Sequence, residues 1–146
     1  MANAAYNKAK AELLKGTLDF DAPDDIRVML LETGGFDADH ATIAAVLAGA
    51  AAELTSTGYS RQALTGEGVT KDDVNDRGEF DAADATFSSV SQDGAETVVA
   101  AIVFKFITND AASIPIAYID TGGFPISPNG SDIVITWNAE GILQLT

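Results

Sequence analysis

The sequence predicts a mainly β fold: an antiparallel β-sandwich or barrel-like domain with a short N-terminal helix and a second short, Ala-rich helix. Three observations carry this. From Gly58 onward, turn-forming residues recur at short intervals with β-rich segments between them. The segment Thr97–Ile107 is apolar on both alternating faces, as a strand covered from two sides has to be. The composition, 146 residues with 47% hydrophobic and 21% charged side chains, 13 glycines and 4 prolines, is that of one globular domain spanning residues 1–146. A chain of this length hides about two-thirds of its unfolded surface, so its core needs no covalent staples. The absence of cysteine agrees, and it removes thiolate nucleophiles and Cys-based zinc sites.

Element by element, Asn3 is placed to cap a helix over residues 1–16. Tyr6, Ala9 and Leu13 recur on its inner face, Lys8, Lys10, Glu12 and Lys15 face water, and Gly16 ends it. Asp19, Asp21, Asp24 and Asp25 surround Pro23 in a polar connection to the β-rich body, residues 26–146. That body opens with a buried strand, Ile26 to Leu31, stopped by Gly34-Gly35. In Asp39–Ser56, Ile43, Val46, Leu47, Ala50 and Leu54 fall on one helical face, which predicts a short helix weakened by Gly49; an irregular Ala-rich loop is the alternative.

Strands are expected at Tyr59–Leu64, Gly78–Asp81, Ala85–Val90, Thr97–Ile107, Ile114–Asp120, Asp132–Trp137 and Gly141–Leu145. In Thr97–Ile107, Val98, Ala100, Ile102, Phe104 and Phe106 share one face, and Val99, Ala101, Val103 and Ile107 the other. Ile133, Ile135 and Trp137 alternate with polar residues, which turns Trp137 into the core. Asn138 to Gly141 offers a four-residue hairpin loop joining the last two strands.

Charge sets the next bound. With 22 acidic against 8 basic residues the net charge is −14, which argues against phosphate-backbone binding. Residues Met1–Lys15 mix lysine with alanine and lack an apolar run, so no secretory signal is expected. Ala41–Ala52 is too short to span a bilayer. Three of the lysines, Lys8, Lys10 and Lys15, lie in the N-terminal helix, a weakly basic element ahead of an acidic body. It reads as an amphipathic helix packed on the sandwich, or as a docking element for an acidic partner whose removal weakens attachment more than folding.

Catalytic constellations lack parts. His40, the only histidine, sits in the polar turn Asp37–His40 and reads as a capping or solvated residue. Ser88 and Ser89 lie in no Gly-x-Ser-x-Gly elbow, and no Gly-rich phosphate loop is followed by lysine. The run Asp72–Asp84 gathers oxygen ligands around Gly78 as calcium loops do, yet Arg77 stands where a ligand belongs and Asp84 where a bidentate Glu belongs. A solvated acidic turn is the expectation. Weak calcium binding by Asp72, Asp73, Asp76, Asp81 or Asp84 stays open. Paired carboxylates also suit glycosidases, but one Trp and three Tyr give little aromatic surface for a sugar cleft. No catalytic residue, metal ligand or cofactor is assigned, and no enzyme is expected.

Along most of the chain, order and wording carry a resemblance. It runs through the Ala/Lys-rich N-terminal helix, Asp25 to Leu30, Gly58-Tyr59-Ser60-Arg61-Gln62-Ala63-Leu64-Thr65-Gly66, Val69-Thr70 and Asp72 to Arg77. It continues through Phe80 to Phe87, Ile116-Ala117-Tyr118-Ile119-Asp120, Asn129 to Trp137 and Ala139 to Leu143. As a set these resemble a family of small virion structural proteins of tailed phages and prophages, of the kind encoded among head genes. The resemblance implies a non-catalytic decoration or auxiliary capsid protein on the phage head surface. Its implied partners are the major capsid protein and neighbouring copies of itself, with no nucleic acid or membrane. It names no site residues. The apolar stretch Ile43–Ala52 departs from the family's common form, which is shorter or more polar there, and reads as a partner-facing insertion. A tail or head–tail adaptor protein, and a calcium- or carbohydrate-binding surface module, are the alternative functions.

Overall fold

A strand that is apolar on both faces has to be covered twice, and the fold is arranged around that demand. The structure, a computed structural model, describes residues 4–21 and 24–146, so the expected cap at Asn3 and the connection at Pro23 lie outside the described residues. In chain order the elements are β1 (Ala4–Ala5), α1 (Asn7–Lys15), β2 (Ile26–Thr33), α2 (Ile43–Ala48), β3 (Ala52–Glu53), β4 (Gln62–Ala63), β5 (Gly68–Asp72), β6 (Arg77–Asp81), β7 (Ala85–Phe87), β8 (Ala100–Lys105), β9 (Ile114–Ile119), β10 (Ile133–Ile135) and β11 (Leu143–Leu145). The largest sheet runs β1-β9-β8-β2-β3, with β4 also pairing β2; β10-β7 and β11-β6-β5 form two small sheets. All pairings among the described strands are antiparallel. The result is sandwich-like, and the large sheet does not close into a barrel.

β8 lies between β9 and β2, with Val103 opposite Val28 and Ala117, and Ile102 opposite Met29 and Tyr118. One face of this trio contributes Val28, Leu30, Ala101, Val103, Ala117 and Ile119 to a core closed by the two small sheets and by Ala9, Leu18 and Phe20. The other face contributes Met29, Leu31, Ala100, Ile102, Phe104 and Tyr118 to a second core, closed by Tyr6, Ile43, Val46 and Ala51. Lys105, the one charge in this run, anchors the end of β8: its Nζ lies 2.6 Å from Asp24 and donates to the Thr17 carbonyl at 2.9 Å.

The expected alternation over Thr97–Ile107 holds only within β8. Val98 packs in the first core and Val99 against the second, so the faces change phase before Ala100. Val98 instead bridges Ile126 through hydrogen bonds of 2.7 and 2.8 Å. Ile107 lies beyond the strand and is 45% exposed. In β9 a register shift makes Ile116 the extra residue between Pro115 and Ala117, which turns both Ile116 and Ala117 to the first core.

Helix α1 ends as expected on left-handed Gly16, but its N-cap is Tyr6, which offers no side-chain cap. Glu12 is buried rather than solvated. It accepts from Lys8 at 2.8 Å, from Lys15 at 3.0 Å and from the Thr17 hydroxyl. The helix is also not a detachable arm, because β1 pairs β9, Tyr6 is fully buried in the second core and Ala9 in the first. Removing residues 1–15 would therefore open both cores.

The Ala-rich segment forms only the short helix α2, capped by Thr42, whose hydroxyl accepts from Ala45 N at 3.1 Å. Ile43 and Val46 are fully buried against the large sheet, so this segment is chiefly a lid on the second core and not a partner-facing insertion; Ala48 to Ala50 are what it shows to solvent. Leu54 does not share that helical face; it follows β3 into the first core.

The last two strands do not form a hairpin. The turn is present, with Gly141 N donating to Asn138 O at 2.8 Å and Gly141 at φ 87°. However, β10 pairs β7 and β11 pairs β6, so the turn carries the chain from one small sheet to the other. A Cβ at Gly141 would lie 2.6 Å from the Phe80 carbonyl oxygen, and this close approach sets the crossing.

Trp137 is buried in the first core with Ile133 and Ile135, and its Nε1 donates to Ala83 O at 2.9 Å. Trp137→Ala is expected to cost about 3–5 kcal/mol, read as a lower urea midpoint. An unchanged midpoint would contradict this placement.

Candidate functional site

The acidic run is a β-hairpin rather than a ligand cage. β5 and β6 pair from Gly68 opposite Asp81 to Asp72 opposite Arg77, leaving Asp73 to Asp76 as the turn. Asp72 closes that turn by accepting from Val74 N at 2.9 Å, from Asn75 N at 3.2 Å and from Asn75 Nδ2 at 2.5 Å. These hydrogen bonds, the Asn75 side chain first, hold its carboxyl below the usual range. Asp76 supplies the left-handed position at φ 54°. Arg77 lies 3.4 Å from Asp72, 2.7 Å from Glu79 and 3.2 Å from Glu140. Its hydrogen bond lowers the Glu140 carboxyl's pKa.

Asp81 and Asp84 point elsewhere in the fold's economy of hydrogen bonds. Asp84 accepts from the Thr136 hydroxyl at 3.1 Å and from Trp137 N at 3.4 Å, tying the chain before β7 to the residues after β10. Asp81 is the exposed end of β6. Among the described residues, no three His, Asp or Glu side chains are grouped to hold a metal.

A second polar cluster, which the sequence reading missed, surrounds Arg61. Its guanidinium bonds Glu53 at 2.8 and 2.6 Å and Asp110 at 2.5 and 3.0 Å, and lies 5.3 Å from the Phe104 ring. Tyr59 donates to Glu53 at 2.8 Å and accepts from Leu30 N at 3.0 Å. The carboxylates raise the Arg61 pKa, Glu53 foremost, and Arg61 lowers that of Asp110. Both carboxylates are thus engaged by one cation, so the cluster clamps β3, the Tyr59–Ala63 segment and the Asp110 turn over the sheet. The clue in the sequence was Tyr59-x-Arg61, an aromatic and a cation two residues apart beside a strand.

His40 neither caps α2 nor stands free in solvent. Its ring packs against Gly49, where a Cβ would be 3.0 Å from Cε1, and Nε2 lies 3.8 Å from Asp37. Ser88 and Ser89 are exposed in the turn after β7.

Two concavities remain. An open cleft of about 620 Å³ lies between Thr121-Gly122 and the C-terminal segment, floored by Ile119, Trp137 and Ile142 and rimmed by Asn138, Glu140 and Gln144. Glu140 is already held by Arg77, and Trp137 is buried, so the cleft presents neither an unengaged acid nor an aromatic stacking face. A smaller groove of about 220 Å³ lies between α1 and β11-β6-β5, and its walls are mostly apolar: Leu13, Leu18, Phe20, Val69, Phe80 and Leu143. Phe20 and Phe80 stack there at 4.0 Å. Beside it, Leu14 is 91% exposed, Val69 50% and Leu145 55%. This is the side of the molecule with most exposed aliphatic surface near one place, and its chemistry suits contact rather than turnover. The chain matches no protein-family profile and no curated protein. No helix among the described residues is long and apolar enough to cross a membrane.

Two outcomes test this reading. Calcium titrated into the protein is expected to give no micromolar binding heat, because Arg77 occupies the carboxylates that would have to converge. Micromolar binding lost in Asp73→Ala/Asp81→Ala would contradict it. Separately, Lys8, then Thr17 and Lys15, lower the Glu12 pKa from 4.5 to about 2. A depressed carboxylate adds stability above its unfolded pKa and loses it as pH falls through the folded value. The melting temperature should therefore fall between pH about 4.5 and about 2, and Glu12→Gln should flatten that part of the acid limb; an identical limb in the variant would remove Glu12 as a cause.

Proposed function

We propose that the protein is a bacteriophage virion structural protein, a decoration or auxiliary head protein that binds the capsid shell in many copies, stabilises it and performs no turnover. The observation that carries this reading is the apolar groove with Leu14, Val69 and Leu145 exposed around it, on a molecule whose acidic clusters are engaged in its own ion pairs and turns. The family resemblance supports the same role. Its partners are then the major capsid protein and neighbouring copies. Weak single contacts suffice on such a lattice, because many linked copies raise the effective concentration. A net charge of −14 keeps decorated particles dispersed.

The test is compositional. DNA-filled heads separated from tails are expected to retain the protein at a fixed copy number. Heads lacking it, with tails holding all of it, would replace decoration by a tail or adaptor role; its absence from both would end the virion reading.

A further inference from the structure

The groove has a specific origin in the sequence. On one face of the sheet β11-β6-β5, Leu143, Phe80 and Val69 form one cross-strand row, and Leu145, Gly78 and Lys71 form the next. Gly78 contributes no side chain, and a Cβ built there meets no atom within 4 Å. The second row therefore has a gap between Leu145 and Lys71, and that gap opens into the groove. Lysines border it on both sides. Lys71 is 80% exposed on the strand side, and exposed Lys10 lies three and four residues before Leu13 and Leu14 on the helix side. Asp19 and Glu79 also line the groove, Glu79 being held by Arg77.

The complement to this groove is carried by the same chain. At the tip of the β5–β6 hairpin Val74 is 89% exposed, between Asp73 and Asp76, both exposed. The Asp72 hydrogen bonds to Val74 and Asn75 fix the turn before any contact is made, which lowers the entropy lost on docking. We propose that this groove receives the hairpin tip of a second copy: Val74 enters over Gly78, and Asp73 and Asp76 face Lys10 and Lys71. Charge sign decides against the alternatives, since tip against tip sets aspartates together and groove against groove sets lysines together. Lys71 already pairs with Asp73 within one copy at 2.7 Å, but both are so exposed that the pair is worth little and exchanges readily.

Knob and groove are different patches, so the contact is heterologous and generates rings or chains. Because both lie on one hairpin, the contacts cluster near a common axis, which favours a small closed ring. The inference rests on the reading of this side as a contact surface, but its test uses the free chain and not the phage head.

Sedimentation velocity of the full chain at physiological ionic strength and about 100 µM, a weak-interface regime, is expected to show a discrete multiple of 15.1 kDa. Val74→Asp, which spoils the knob, and Gly78→Leu, which fills the groove, should each sediment as a monomer with an unreduced melting temperature. Mixed one to one they should give a dimer and nothing larger, because only the Gly78→Leu tip and the Val74→Asp groove remain competent. A monomeric wild type, a Val74→Asp variant with wild-type mass, or a mixture that stays monomeric would overturn the proposal. Val74 has no core role, so its variant remains decisive even where Gly78→Leu perturbs folding. Heads that carry the protein while the free chain is monomeric would overturn the copy-to-copy contact and leave the shell role standing.

Discussion

Strands β9, β8 and β2 lie side by side and are apolar above and below, so water has to be kept from both faces at once. On the second face alone, Met29, Leu31, Ile102 and Phe104 are fully buried. At about 1.5–3 kcal/mol for each such side chain, uncovering that face would forfeit on the order of 10 kcal/mol, comparable to the whole stability of a domain this size. Neither cover is therefore optional. The first consists of two small sheets with Leu18 and Phe20, the second of α2 with Tyr6 and Ala51. The N-terminal segment serves both, since Tyr6 belongs to one core and Ala9 to the other.

Charge distribution follows from the same constraint. With the interior spent on aliphatic packing, polar side chains work at the margins, where they join covers to the central sheet. Lys105 ties the end of β8 to Thr17 and Asp24, Arg61 holds Glu53 and Asp110 over Phe104, and Arg77 binds β5, β6 and the turn at Glu140. Acidic residues that looked in sequence like a ligand set are consumed in this way. What the surface retains is aliphatic exposure beside α1 and an acidic, Val-tipped hairpin, features suited to contact between molecules.

The parts legible in the sequence were those with dense local signals. β8 announced itself by apolar residues at successive positions, β2 by an unbroken apolar run, and Trp137 by alternation with Ile133 and Ile135. Elements held by partners distant in sequence were not legible. β1 and β3 are two residues each, Ala4–Ala5 and Ala52–Glu53, and exist only because β9 and β2 offer free edges. β5 was hidden by its lysine and aspartate, although Val69-Thr70 and the Asp72–Asn75 turn were its local marks. The Asn138–Gly141 turn was read correctly as a turn and wrongly as a hairpin, because turn chemistry does not specify which sheet the next strand joins. The groove escaped for a similar reason: Gly78 becomes a gap only when Leu145 and Lys71 flank it across strands.

Dependence on two covers is most directly tested by native-state hydrogen exchange of β8. The amides of Ile102 and Val103, whose side chains enter opposite cores, are expected to exchange together, last among all amides, and only by global unfolding, with a free energy that falls in denaturant along the global slope. Sub-global exchange of either amide, with the remainder of the sheet still protected, would mean that one cover opens while the fold survives, and would contradict the double-cover requirement.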